Sequence, residues 1–164
     1  MTPRFEKAYN ALVKAFFEGT LAKGDCSACA VGNIVADAQG GCIDFFLGQA
    51  YCNTDNWFWS KLFMTIGGNQ VINHPFYDQE KGLALTIETL TGYTYLEMAK
   101  VEKAFEQNTH IDIEDYSKYT FLDILEDQYR GLCAVVDVML KLDGIEPDPK
   151  YAAKFREHKS LQPA

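Results

Sequence analysis

No stretch of this chain approaches the ~18 consecutive apolar residues that a membrane-crossing helix needs, so no spanning segment is expected. Basic residues are in deficit. Lys and Arg total 15 against 23 Asp and Glu, for a net charge of -8. Such a chain repels phosphate backbones and anionic lipid, so neither nucleic-acid binding nor membrane-surface binding is expected. Only three histidines are present, and they are scattered: His74 before a proline, His110 in an acidic stretch and His158 near the end. With no G-x-S-x-G sequence beside them, a hydrolytic triad has no support. Gly40-Gly41 and Gly67-Gly68-Asn69 are not followed by Lys-Ser/Thr, so they are turns and not phosphate cradles. The opening residues Met1 to Lys7 carry no apolar core or cleavage signal, and a cytoplasmic location is the default expectation.

Hydrophobic residues make up 48% of the 164 and aromatics 13%, a globular composition. That length suits one domain with an ordinary core. No internal repeat, low-complexity tract or long linker divides it, so residues 1–160 are expected to form a single domain.

Helical periodicity dominates. Thr2-Pro3 can cap and start a helix carrying Phe5, Tyr9, Leu12, Val13, Phe16 and Phe17, with Gly19 as its stop. Asp25 can cap a second, from Cys26 to about Ala38. Trp57 to Ile66 and Asp78 to Leu90 are two more, while residues 42–52 are apolar without a clear period. Thr94-Tyr95-Leu96-Glu97 has the form of a capping box and opens a helix to about Gln107, with Met98, Val101 and Phe105 inward. Thr109 to Asp115 reads as loop. A second box-like start, Thr120 to Asp123, opens a long helix to Leu142 whose interior Gly131 points to close packing. Gly144-Ile145 suits a left-handed helix end, and Asp148-Pro149 starts a final helix to about His158. The fold class expected is all-α, a compact bundle of six or seven helices.

Chemistry concentrates in five cysteines: 26, 29, 42, 52 and 133. An odd number does not make a disulfide framework. Cys26 and Cys29 have C-x-x-C spacing at an expected helix start, where N–H groups and the helix dipole favour a thiolate. A zinc site or an Fe–S cluster needs further ligands. Cys42, Cys52 and Cys133 are the candidates, with His74 a nitrogen donor. Packing is the simpler alternative, since buried cysteines act as small apolar side chains. Cys133, between Leu132 and Ala134, suits that role alone. A redox dithiol is the third alternative, although no strand precedes the motif as in thioredoxin-like proteins. The acidic groups carry less. Asp112, Glu114 and Asp115 lack the glycine and closing glutamate of a calcium loop. Glu97, Glu102 and Glu106 share a helix without the Glu-x-x-His of a di-iron bundle.

Three segments together resemble a known family. They are Cys26-Ser27-Ala28-Cys29-Ala30-Val31-Gly32-Asn33, then Gly92-Tyr93-Thr94-Tyr95-Leu96-Glu97 with Val101-Glu102 and Phe105, and Gly131-Leu132-Cys133-Ala134-Val135-Val136 with Leu142-Asp143-Gly144-Ile145. The combination resembles small uncharacterised proteins of Bacteroidetes bacteria and their phages, some of them labelled as the F subunit of a sodium-translocating NADH-quinone reductase. That label implies a membrane anchor, a ferredoxin cysteine pattern, and flavin and NADH domains, none of which is read in these 164 residues. The resemblance does imply that Cys26, Cys29 and Cys133 lie in recurring segments and meet in space.

Two functions are therefore expected. In the first, Cys26, Cys29 and Cys133, with Cys42 or Cys52, hold zinc or an Fe–S cluster. In the second, a non-enzymatic phage- or host-related protein works through a protein partner or its own copies, with its cysteines as packing.

Overall fold

The computed structural model describes residues 1–24, 28–38 and 88–163, and of Tyr95 the backbone alone. The fold is all-α. Among the described residues the helices are α1 (Pro3–Glu18), α2 (Ala30–Ala38), α3 (Tyr95–Asn108), α4 (Phe121–Leu142) and α5 (Pro149–Arg156), with short 3₁₀ turns at Ile113–Lys118 and Lys159–Leu161. The expected helix over 57–66, residues 78–87 of the next one, and the apolar stretch 42–52 lie outside the described residues; 88–91 is helical, the last turn of that second segment.

Local chemistry sets most boundaries. The Thr2 hydroxyl accepts the Phe5 N–H, Pro3 occupies the first turn, and Gly19 ends α1 at φ 74°. Thr94 with Glu97 and Thr120 with Asp123 form reciprocal capping boxes at the starts of α3 and α4. At the end of α4 the Ile145 N–H bonds to the Leu140 carbonyl and the Gly144 N–H to that of Lys141, the Schellman pattern, with Gly144 at φ 69°. Asp148 caps α5 and Pro149 begins it.

Two expectations need correction. α2 starts at Ala30 and not at Cys26. Cys29 sits just outside the helix, where its carbonyl accepts the Asn33 N–H and its Sγ accepts that of Gly32 at 3.3 Å. The cysteine itself therefore fills the capping position, and the Asn33 amide reinforces it by donating to the Ala28 and Cys29 carbonyls. The stretch after α3 is also more ordered than a loop. Ile111 is buried, and Ile113–Lys118 closes into a 3₁₀ turn.

α4 is the central helix, packing against α3, α1 and α5, while α2 bridges α1 and α3. The core joins Phe5, Leu12 and Phe16 of α1 to Val31 and Val35 of α2, Met98 and Phe105 of α3, and Leu132, Val136 and Met139 of α4. α5 closes one side with aromatic edge-to-face contacts, Phe155 against Phe16 and Tyr9, and Tyr151 against Phe5. Gly131 lies where α3 meets α4. A Cβ there would stand 2.5 Å from Thr109 Cγ2 and 2.8 Å from Phe105 Cδ2.

One ionic network ties the ends of three helices. Arg4 in the first turn of α1 donates to Asp143 Oδ1 at 2.7 Å, Glu97 Oε2 at 2.9 Å and the Gly92 carbonyl at 3.1 Å. Its guanidinium also lies 4.2 Å from the centre of the Tyr93 ring. The Asp143 side chain is only 1% exposed, and the Thr2 hydroxyl also donates to it.

Two outcomes are expected. Arg4→Ala leaves a buried carboxylate without its cation and lowers unfolding free energy by about 3 kcal/mol in urea titration. Gly131→Ala gains helix propensity of about 1 kcal/mol but loses more to overpacking, so it destabilises the fold by about 1–3 kcal/mol. Adding Thr109→Ser, which removes the clashing methyl, restores part of that loss.

Candidate functional site

The segment between α1 and α2 is held by polar groups that originate far away in sequence. The Leu21 carbonyl accepts from Gln128 Nε2 at 2.7 Å, and the Lys23 carbonyl accepts from the Ile113 N–H at 3.0 Å. Lys23 Nζ donates to the Glu106 and Thr109 carbonyls at 2.9 and 2.6 Å, placing a cation on the C-terminal end of α3. Ala22 N–H donates to the Ala28 carbonyl at 2.8 Å, closing the connection that contains Cys26. Below it, the buried Asp127 carboxylate accepts the N–H groups of His110 and Ile111 and a bond from Arg130, which fixes the turn after α3.

Within this frame two carboxyls of α3 face the start of α2. Glu102 is 2% exposed, and its Oε2 accepts the Val31 N–H at 3.0 Å. That N–H is one of the donors a helix start leaves without a partner in its own backbone. The Cys29 thiol and the Glu106 carboxyl complete the surroundings. Burial pushes the Glu102 carboxyl far above the ordinary carboxylate range and the charge of Glu106 adds to this, while the bonds from Val31 and Cys29 act against it. Glu106 is also raised by burial, but Lys23 Nζ, 3.8 Å from its Oε2, and the bond with Glu102 hold it down. Of the two, buried Glu102 is therefore the one that burial favours in its protonated form, while Lys23 favours the ionised form of Glu106.

Cys29 is buried in the core cluster, between the α2 start and Glu102. Cys133 is half-buried on α4. Burial raises its thiol, and Tyr129, Asp137 and Arg156 are its neighbours. Among the described residues, no group of three or more His, Cys, Asp or Glu side chains is placed to hold a metal ion. Cys26, Cys42, Cys52 and His74 lie outside the described residues.

Sequence reasoning missed the buried role of Glu102. One signal was available: Glu102 is four residues after Met98 and three before Phe105, on the apolar stripe of its own helix.

A second feature lies at one end of the bundle. Phe121 and Leu122, the first two residues of α4, are 61% and 49% exposed, and Tyr119 just before them is 47% exposed. The His158 ring lies 5.5 Å from that of Phe17, at the end of α1, and 6.4 Å from that of Phe121. The His158 ring thus links Phe17 and Phe121 at this end, and Tyr119 and Leu122 flank Phe121 in sequence.

No helix among the described residues is long and apolar enough to cross a membrane. Comparison of the chain with protein-family models, curated proteins and solved structures finds no match.

The Glu102 proton gives a pH dependence of definite sign. Glu102 is pushed up to about 8 in the folded chain from an ordinary 4.5. The stability carried by this proton is full below about 4.5 and is lost as pH rises through about 8. Glu102→Gln keeps an acceptor for Val31 and has no proton to lose. Melting temperature measured against pH is expected to fall across this window in the parent chain and to stay nearly flat in the variant.

Proposed function

We propose that this chain is a non-enzymatic helical protein that works by binding another protein through the end face built from Phe17, Tyr119, Phe121, Leu122 and His158. The observation that carries this is the exposure of Phe121 and Leu122 in the first turn of a helix whose Thr120–Asp123 capping box needs neither of them. Large apolar side chains gathered at a surface, and not recruited to the core, mark contact sites. The two described cysteines support the same view. Cys29 is packed in the core and caps α2, and burial keeps the Cys133 thiol neutral, which is the opposite of an activated thiolate. A phage- or host-related setting, implied by the sequence resemblance, suits a chain that acts by contact.

A second proposal is favoured by one specific observation, the meeting of the Cys29 thiol with the Glu102 carboxyl at the start of α2. There a C-x-x-C pair would hold zinc or an Fe–S cluster through Cys26 and Cys29, with Cys42, Cys52 or Cys133 completing the set.

Elemental analysis and the visible absorption spectrum of protein purified without oxygen separate the two. The contact proposal expects neither iron nor zinc in stoichiometric amount, and Cys29→Ala and Cys133→Ala variants that each fold with a loss of no more than ~2 kcal/mol. One metal per chain, lost in Cys29→Ser, would overturn it in favour of the cysteine site.

A further inference from the structure

The end face has a charge pattern as well as an apolar row. Glu18 follows Phe17 directly, and Asp123 follows Leu122. Asp123 is held in the ionised form by the Thr120 hydroxyl and N–H. Glu114, exposed in the 3₁₀ turn, precedes Tyr119. The nearby cations are largely engaged: Lys118 by Asp115 at 2.5 Å, and Arg156 by Glu126 at 2.7 Å while stacked on the Tyr129 ring. Lys159, beside His158, has no ion pair among the described residues, but it stands against three carboxylates in a chain of net charge -8.

A second copy of the chain is a poor occupant of such a face. It would bring one face carrying Glu18 and Asp123 against another and add one net charge of -8 to another. Like charges across an interface cost several kcal/mol. A segment with apolar side chains on one face and Lys or Arg beside them satisfies both features at once. The apolar side chains cover Phe17, Phe121 and Leu122, and the cations meet Glu18 and Asp123.

Resting on the contact reading proposed above, we infer that the partner offers a basic amphipathic helix, docked across the end of α1 and the start of α4. An amphipathic helix anchors through a few apolar side chains, and the acidic residues beside the exposed aromatics set which helices are accepted and speed their approach.

The test uses the full chain and two fluorescent peptides of about five helical turns, one alternating leucine and lysine faces, the other leucine and glutamate. Binding is read by anisotropy, and its location by backbone amide shifts. The expected result is binding of the lysine peptide alone, with shifts at 15–18 and 119–123. The double variant Phe121→Ser/Leu122→Ser, which changes no charge and touches only exposed positions, weakens binding at least about tenfold, equivalent to about 1.4 kcal/mol. Glu18→Lys weakens it severalfold, and added salt weakens it further. Far-UV circular dichroism checks that both variants fold. Equal binding of the lysine peptide to the double variant would overturn the inference, since charge alone would then explain it. Self-association in analytical ultracentrifugation that the double variant abolishes would also overturn it, assigning the face to a second copy and leaving the contact reading intact. No peptide binding and no self-association would count against both.

Discussion

Everything on the α2 side of this bundle depends on one buried carboxyl. Glu102 reaches out of α3 to take the Val31 N–H at the start of α2, beside the apolar core. An unpartnered N–H and an unpartnered carboxyl would each be costly there, and each satisfies the other. The arrangement works because the carboxyl keeps its proton. Glu106 can then lie next to it and face Lys23, and the ammonium of Lys23 in turn closes the end of α3. One proton thus links the seating of α2, the path of the α1–α2 connection and the terminus of α3.

The other polar contacts repeat this logic with fixed charges. Asp127 anchors the chain after α3 through the His110 and Ile111 N–H groups, and Arg4 joins the starts of α1 and α3 to the end of α4 through Glu97 and Asp143. In each case a charged side chain satisfies groups at a helix end or turn, where the backbone has no partner of its own. Helix termini and turns are stapled by charged side chains, while most of the buried helix positions are Leu, Val, Met, Phe and Ala. The end face of Phe17, Tyr119, Phe121 and Leu122 takes no part in this. It is apolar and outward, and this separation of structural polarity from surface hydrophobicity is the basis for reading the chain as a contact protein.

What the sequence made legible was local. Thr2-Pro3, Thr94 with Glu97, Thr120 with Asp123, Gly144-Ile145 and Asp148-Pro149 each fall where the spacing predicts, because a cap is settled within four or five residues. The close-packing role of Gly131 could also be read, since a glycine inside a strong helix pattern needs a reason, and the Thr109 methyl supplies it. Non-local facts were hidden. Glu102 could be seen on an apolar stripe, but only the arrival of Val31 explains its burial. Cys29 was expected inside a helix and proves to be its cap, because Asn33, Gly32 and the Ala28 carbonyl together favour a start at Ala30. The 3₁₀ turn at Ile113–Lys118 has too few residues to show a period.

The most direct test of the central claim is the carbon-13 shift of the Glu102 side-chain carboxyl, followed by NMR as pH is raised. A proton held on buried Glu102 predicts that the signal stays at its protonated position through neutral pH and moves only toward pH 8, together with the Val31 amide that donates to it. A midpoint near 4.5, with the Val31 amide unmoved, would mean that Glu102 is an ordinary solvated carboxylate. The account of how α2 is held would then be wrong.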